Sequence, residues 1–288
     1  MSDVTTPVEK LRAAFGKTIV DVAILHGIPL VRVGKADVPL VAHYVHTHPE
    51  LQGTLSLLWA VDHRPHEKRY ELCYLFTLAD PREWLLLAAD LLDEDRLFPS
   101  ITPHVHAAQW YEREIRDMFG LIAEGHPDLR RLVRHEHWPK GTHPLKKEFP
   151  WNTVLGRQQG QYAFRHIEGE GVFEVPVGPI HAGIIEPGHF RFSVEGETIV
   201  NLETRLGFVH MGTEKLFERL RPGARREAPH VGHLGSALDF DHEAGRLDRA
   251  LRVAIRVTAA AETRPERLHT VLEFRLPRSA GADVLEHP

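Results

Sequence analysis

Residues 110–120 have the sequence WYEREIRDMFG, which contains the clearest helix signal in the chain. Four apolar residues recur at helical spacing and form one stripe: Tyr111, Ile115, Met118 and Phe119. Two opposite-charge pairs stand four residues apart: Glu112 with Arg116, and Arg113 with Asp117. Gly120 follows the last apolar residue and is a typical helix stop. The pattern predicts an amphipathic surface helix with its charge pairs on the solvent-directed side.

Upstream of this helix, the chain alternates apolar runs with turn signals. Two stretches predict helices: Val8–Phe15, and Val38–His46 ended by Pro49. Four runs predict strands, the first two forming a hairpin: Ile19–Leu25, Leu30–Val33, Leu55–Val61 and Tyr70–Leu78. Trp84–Leu92 fits either a strand or a buried helix, because periodicity does not separate the two. Residues 1–122 are therefore predicted to form an α+β domain, with a mostly antiparallel sheet and flanking helices.

Two differently composed regions follow this domain. Residues 123–165 are rich in Pro, His, Gly and charge, and predict an extended arm that buried aromatic residues such as Trp138 anchor. Residues 166–220 predict the short, β-rich start of a second domain. Its predicted elements are strands at 173–177, 189–194 and 198–202 and a helix over 207–220.

Composition narrows the classes of function. The 288 residues carry a formal charge of −5 with no concentrated basic face, so we expect no nucleic-acid partner. Cys73 is the single cysteine, whereas iron–sulfur clusters need several thiolates. The histidines of His104–His106 and His135–His137 are two residues apart, point to opposite faces of a strand, and predict no metal site. No run approaches the roughly 20 apolar residues that cross a bilayer. Membrane contact is therefore expected only through partners.

The helix and the arm together resemble a known family. Their motifs are Glu112-Arg113-Glu114, Asp117-Met118-Phe119-Gly120, Gly125 to Arg131 and His143 to Pro150. They resemble the 30 kDa subunit (the C-type subunit) of NADH:quinone oxidoreductase, in the same order. The resemblance implies a domain that braces the quinone-side iron–sulfur module, binds no flavin, NADH or cluster itself, and wraps neighbouring subunits with its arm. The residues that it assigns to partner docking are Glu112, Arg113, Glu114, Asp117, His126, Asp128, Arg130, Arg131, His143 and Lys146.

A second motif runs from Gly178 to Phe192, where glycines and prolines predict tight turns. Its polar residues are His181, Glu186, His189 and Arg191. A carboxylate among imidazoles and a guanidinium suits proton relay, and equally suits a turn closed by ordinary salt bridges. With Leu206 to Leu216, the motif resembles the opening of the large subunit of membrane-bound nickel–iron hydrogenases. By position, Glu186 matches that family's proton-transferring glutamate, and His181 and His189 lie in the turn that faces quinone in the related subunit.

The resemblance stops near Leu220. A hydrogenase large subunit holds its metals with cysteine pairs, and no cysteine follows Cys73, so we expect no nickel–iron centre on this chain. Residues 221–288 contain many arginines but no Lys, Tyr, Trp, Met or Cys. This predicts a frameshifted or truncated tail, or else a divergent segment with short elements at Leu247–Ile255 and Leu268–Phe274.

The combined expectation is a peripheral-arm subunit of a membrane-bound redox complex of the formate hydrogenlyase type, related to respiratory complex I. The C-type subunit of NADH:quinone oxidoreductase proper is the alternative, and a free-standing metal-dependent hydrolase is a remote one. Expected partners are an iron–sulfur small subunit, a large catalytic subunit and membrane subunits. Those subunits, not this chain, are expected to hold iron–sulfur clusters and nickel–iron or flavin. The expected location is the cytoplasmic side of the cell membrane.

Overall fold

The computed structural model describes residues 6–156, 158–182 and 184–219. The two short elements predicted at Leu247–Ile255 and Leu268–Phe274, and the hypothesis of a frameshifted tail, lie outside the described residues.

A five-stranded sheet with the order β1-β2-β5-β4-β3 forms the centre of the first domain. Its strands are β1 Ile19–Leu25, β2 Ile28–Val33, β3 Thr54–Asp62, β4 Arg69–Thr77 and β5 Trp84–Leu92. Neighbouring strands are antiparallel except β2 and β5, which are parallel. The predicted α+β class with a mostly antiparallel sheet is confirmed. Trp84–Leu92 is a strand, and its apolar run is continuous because the strand is buried on both faces.

The hairpin between β1 and β2 turns at His26-Gly27, where both residues have positive φ values of 51° and 83°. Two such residues match a type I′ turn, whose twist suits antiparallel strands. Pro29 therefore lies inside β2, opposite Ile24, and not in the loop before the strand as predicted. Pro29 is tolerated there because pairing of β2 with β5 begins only at Leu30.

The helices are α1 Pro7–Phe15, α2 Val38–Thr47, the single turn α3 Arg64–Glu67, and α4 Gln109–Phe119. Apolar residues of α1, α2 and α4 pack on the sheet face formed by Tyr70, Leu72, Tyr74 and Phe76 of β4 and their neighbours. Helix α2 ends before His48, whose extended backbone is what a following proline favours. The three helices predicted in the first domain are thus confirmed to within about two residues at each end.

A short parallel pair flanks α4: β6 Leu97–Pro99 and β7 Ile122–Glu124. The last paired residue lies two positions beyond the predicted boundary at 122. From residue 125 to residue 171, the described residues contain no helix or strand. The extended arm predicted from composition is therefore present.

A second, three-stranded sheet follows, with the antiparallel order β10-β9-β8. Its strands are β8 Val172–Val177, β9 His189–Glu195 and β10 Thr198–Arg205. The helix predicted from residue 207 starts only at Thr213, as α5 Thr213–Arg219. The reason is that Gly207 and Gly212 have φ values of 86° and 75°, outside the helical region. No helix among the described residues is long and apolar enough to cross a bilayer.

Candidate functional site

Glu112 of α4 is buried with 0% of its surface exposed, although the sequence predicts it on the solvent side. Its carboxylate accepts hydrogen bonds from the Ser100 hydroxyl at 2.5 Å, the Thr102 hydroxyl at 2.6 Å and the Ile101 amide at 2.7 Å. The predicted surface pair with Arg116 is wrong. The loop before α4 provides three donors in a water-excluded space, and these satisfy a buried carboxylate better than one exposed guanidinium.

Asp117, five residues further along α4 and on a different side of the helix, is also buried, with 1% of its surface exposed. Its Oδ2 accepts from three consecutive backbone amides of the arm: Leu132 at 2.9 Å, Val133 at 2.9 Å and Arg134 at 3.0 Å. The predicted surface pair of Asp117 with Arg113 is therefore also wrong. A carboxylate that binds three amides holds the irregular arm against α4, because no strand or helix satisfies those amides otherwise.

Arg113 and Arg116 of α4 also hold the arm, by donating hydrogen bonds to its backbone carbonyls. Arg113 donates from Nε to the Arg130 carbonyl at 2.8 Å and from Nη2 to the Arg131 carbonyl at 3.1 Å. Arg116 donates to the Leu129 carbonyl. Burial lowers the pKa of Arg113, although Asp128 raises it in part. The charged side chains of α4 thus bind two segments, the loop at residues 100–102 and the arm backbone at residues 129–134. We call these contacts together the helix–arm junction.

The predicted docking residues in the arm are also engaged internally. His126 contacts the Gln109 carbonyl through Nε2 at 3.0 Å and accepts the Asp128 amide at Nδ1. Asp128 and Arg130 form a two-bond ion pair, and Arg130 also donates to the Tyr162 hydroxyl at 2.8 Å. The hydrogen bonds of Arg130 hold the pKa of Asp128 well below its usual range. Arg131 donates to the His135 carbonyl at 3.2 Å.

His143 closes the far end of the helix–arm junction. Its Nδ1 donates to the Asp117 carbonyl at 3.0 Å, and burial lowers its pKa. The ring lies over Gly120, where a Cβ atom would stand 2.7 Å from His143 Nε2. Gly120 also has a φ of 74°. A glycine is required here both by the left-handed backbone and by the imidazole that covers it.

Two of the ten predicted docking residues, Glu114 and Lys146, have side chains with no hydrogen bond or ion pair to the described residues. Both are partly exposed. Burial, and then the negative charge of Glu214 in α5, raise the pKa of Glu114 to about 7. Burial lowers the pKa of Lys146. The other eight residues are engaged inside the chain by hydrogen bonds or ion pairs, and docking through any of the ten stays a prediction.

The second sheet is attached to the arm by polar contacts. Arg205 of β10 donates to the Arg131 carbonyl at 2.8 Å and to the Glu136 carboxylate at 2.5 Å. Lys215 of α5 donates to the Lys146 carbonyl at 2.7 Å. We call residues 172–219, which contain the second sheet and α5, the second module. Its own polar side chains attach it to the arm.

The turn predicted to relay protons is closed by its histidines. His181 donates from Nε2 to the Gly188 carbonyl at 2.7 Å, and His189 donates from Nδ1 to the Gly178 carbonyl at 3.2 Å. Arg191 instead contacts the ring of Phe164 at 4.2 Å and Glu174 at 3.6 Å. Glu186 is exposed and has no hydrogen bond or ion pair among the described residues. The structure therefore places the two histidines in one turn, and leaves the Glu186 carboxylate free; the relay stays a prediction.

A cavity of about 250 Å³ lies between this turn, the arm and β10, and His135, His189 and Phe208 are among its lining residues. The His135 ring stacks on Phe208 with 3.6 Å between centroids. Burial, and then the charge of Arg205, lower the pKa of His135 to about 4, so its ring is neutral at pH 7. Among the described residues, no three His, Cys, Asp or Glu side chains are grouped as a metal site.

Several residues of the helix–arm junction were not identified from the sequence. Ser100, Thr102 and Arg205 bind buried carboxylates or arm carbonyls. Asp62, at the end of β3, accepts from the Lys147 amide at 2.9 Å and from Arg64 at 2.7 Å. The sequence offered one usable signal, a Ser-Ile-Thr run at residues 100–102, in the loop before a helix that carries a glutamate on its inner side.

Residues 31–154 match the family described as respiratory-chain NADH dehydrogenase, 30 Kd subunit. Over 138 residues the chain is 36% identical to the C 2 subunit of NADH-quinone oxidoreductase from Rhizobium etli, and the match covers 47% of this chain and 72% of that protein. The chain belongs to this 30 kDa subunit family. The matched range contains the sheet from β2 onward, α4 and most of the arm, so the helix–arm junction lies inside the family domain.

Longer matches extend beyond the 30 kDa domain. The chain is 40% identical over 186 residues to hydrogenase-4 component G of Escherichia coli, and 38% identical over 171 residues to its formate hydrogenlyase subunit 5. These matches cover 63% and 58% of this chain, but 33% and 30% of the relatives. The chain thus spans about a third of their length. A match of 186 residues cannot end inside the arm, even if it begins at Met1, and so includes part of the second module.

Proposed function

We propose that this chain is a peripheral, non-catalytic subunit of a membrane-bound redox complex of the formate hydrogenlyase type, related to respiratory complex I. Its role is to brace the neighbouring subunits of the peripheral arm. The observation that carries the proposal is the 40% identity to hydrogenase-4 component G, which extends past the 30 kDa domain into the second module. The C-type subunit of NADH:quinone oxidoreductase proper is the second candidate, supported by the family match and by the Rhizobium relative.

The partners in this proposal are an iron–sulfur small subunit, a large catalytic subunit and membrane subunits, on the cytoplasmic side of the membrane. Electron carriers belong to those subunits in the proposal, because one buried cysteine supplies too few thiolates for a cluster. The helix–arm junction holds the arm against α4 by hydrogen bonds within the chain. Rigid, pre-organised surfaces bind partners at a lower entropic cost than segments that must fold on binding.

Docking through the first domain is proposed to use Glu114 and Lys146, which have free side chains of opposite charge on α4 and on the arm. A cationic side chain from a partner beside Glu114 would stabilise its ionised form and lower its pKa. The other eight predicted docking residues act indirectly, because they hold α4, the loop before it and the arm in place.

A relay by Glu186 is a second, narrower proposal. It is supported by the free carboxylate in a turn that His181 and His189 hold closed. Such a carboxylate can exchange protons with a partner's site, provided that the partner completes the pathway. Glu186→Gln is expected to slow turnover of the assembled complex without changing its yield, and an unchanged rate would remove the relay.

The main proposal is tested by tagging the chain in its host, solubilising membranes in mild detergent and analysing the purified material on native gels with mass spectrometry. We expect migration as a large complex. Co-purification of a nickel-bearing large subunit supports the hydrogenase branch, and flavin- and NADH-binding chains support the respiratory branch. A chain that migrates only as a free monomer in both membrane and soluble fractions would contradict the proposal.

The docking role of Glu114 is tested by Glu114→Lys, with Glu94→Lys as the matched control because Glu94 is an exposed carboxylate remote in sequence from α4. The first change is expected to lower the yield of intact complex, and the second to leave it unchanged. Equal yields for the two variants would argue against docking at Glu114.

A further inference from the structure

The three-stranded sheet has one face that is almost entirely apolar. The register aligns three rows across β8, β9 and β10: Phe173 with Val194 and Ile199, Val175 with Phe192 and Leu202, and Val177 with Phe190 and Thr204. We call this surface the apolar sheet face. Its edge residues are open to solvent: Phe173 is 53% exposed, Ile199 58% and Leu202 48%. Adjacent large apolar residues at this exposure typically mark an interaction site.

The opposite face of the same sheet is polar and is turned toward the arm. Ser193 at its centre is buried. Glu203 of β10 accepts from the Tyr162 hydroxyl at 3.0 Å and from the Arg165 amide at 2.8 Å. The sheet therefore directs its polar side inward and its apolar side outward, which is the reverse of a free-standing sheet. Such an arrangement is expected when another surface covers the apolar side.

The two ends of the apolar sheet face differ in charge. The end of the sheet where β8 begins and β9 ends is acidic: Glu168 and Glu170 precede β8, Glu197 lies in the turn between β9 and β10, and all three are exposed. At the other end, the turn between β8 and β9 exposes Ile180, Ile184 and Ile185. An acidic border repels the anionic surface of a membrane. The same border attracts a protein surface that carries lysine or arginine beside its apolar residues.

We propose that the apolar sheet face is a docking surface for another polypeptide of the complex, whose apolar contact surface is bordered by basic side chains that meet the carboxylates at the acidic end of the face, such as Glu170 and Glu197. The inference rests on the proposed function, since it requires the chain to be part of a complex. It adds a second docking surface, which the motifs of α4 and the arm did not indicate.

The surface is tested by incorporating a photo-crosslinking phenylalanine analogue at Val175 or at Ile199 in the full-length chain and irradiating the host cells. Ile24 of β1 is the matched control, because it is also a strand isoleucine and is 68% exposed. We expect products from positions 175 and 199 that link to one and the same polypeptide of the purified complex, at a peptide containing apolar and basic residues, and no such product from position 24. Products with a second copy of this chain, with lipid alone, or with nothing would overturn the proposal.

Incorporation of substituted chains into the complex tests the docking surface independently. Ile199→Asp is expected to reduce the fraction of chain in the large complex at least tenfold, whereas Ile24→Asp is expected to leave it unchanged. Glu170→Lys combined with Glu197→Lys should act in the same direction as Ile199→Asp. Circular dichroism and urea unfolding verify that each variant folds. Equal incorporation of Ile199→Asp and Ile24→Asp contradicts the docking surface.

Native gels of the wild-type chain separate the two proposals. If the wild-type chain is in the complex and the variants at the apolar sheet face are too, only the docking surface is wrong. If the wild-type chain is never in a complex, the proposed function and the docking surface fail together.

Discussion

The helix–arm junction and the apolar sheet face place their polar and apolar residues in opposite ways. At the junction, charged residues that look like surface groups are buried: Glu112 and Asp117 are at most 1% exposed. On the second sheet, residues that look like core are open to solvent, with Ile199 58% exposed. Residue type alone therefore misidentifies both regions. The difference indicates that the junction stabilises this chain, while the sheet face is available to a neighbour.

The strongest test of this difference is Asp117→Ala. The change leaves the amides of Leu132, Val133 and Arg134 without their shared acceptor, and each unsatisfied buried group costs about 1–3 kcal/mol. We expect a total loss of about 3–5 kcal/mol of unfolding free energy, measured by urea denaturation. The control is Asp21→Ala, an exposed residue of β1, which should change stability by less than about 0.5 kcal/mol. Equal effects of the two would mean that Asp117 does not hold the arm.

Glu112→Ala is expected to have the next largest effect, about 2–3 kcal/mol. It removes the acceptor of one buried amide and of two hydroxyls. Hydroxyls rotate to new partners more readily than amides, so the loss should be smaller than at Asp117. Urea denaturation beside Glu94→Ala measures it, and a loss under about 0.5 kcal/mol would place Glu112 on the surface after all.

Glu114 provides a prediction with the opposite sign and a pH dependence. Its pKa is about 7 when folded against a usual value of 4.5, so the folded state disfavours the ionised form. Stability is therefore lost as pH rises from about 4.5 through 7. Glu114→Gln should stabilise the isolated chain by about 1–2 kcal/mol at pH 8, with a difference from wild type that disappears near pH 4. A difference that does not vary with pH would show that the Glu114 carboxyl does not titrate in this way.

The smallest expected effect on stability is at the apolar sheet face. Ile199→Asp should change the unfolding free energy of the isolated chain by less than about 0.5 kcal/mol, because the side chain is already exposed. Thermal and urea unfolding measure this. A loss of about 2 kcal/mol or more would show that Ile199 is part of a folded core and not of a contact surface.

The fold was largely predictable from the sequence because its elements have strong local patterns. Alternating or continuous apolar runs identified four of the five strands and left Trp84–Leu92 open between a strand and a buried helix, and turn residues identified the hairpin and the end of α2. The side of α4 that binds the arm was not predictable in this way. An i,i+4 pair such as Arg113 with Asp117 gives the same pattern whether water or an irregular segment covers it. Only the three-dimensional path of residues 128–134 shows that the segment lies there.

The candidate sites also differ in how far the sequence predicted them. The resemblance to the family pointed to residues of α4 and the arm, but did not show which ones are engaged internally. The apolar sheet face was not identified because Phe173, Val175 and Val177 give the alternation of an ordinary half-buried strand. Whether such a face turns inward depends on the polar partners across the sheet, such as Glu203 with Tyr162.

The most direct measurement is carbene footprinting of the isolated chain and of the assembled complex, with modified residues identified by mass spectrometry. Labelling of Phe173, Ile199 and Leu202 is expected to be strong in the isolated chain and to fall sharply on assembly. Val20 and Ile24 of β1 should be labelled equally in both states, and Glu112 and Asp117 in neither. Strong labelling of Glu112 and Asp117 in the isolated chain, or an apolar sheet face that stays fully labelled in the complex, would contradict the account.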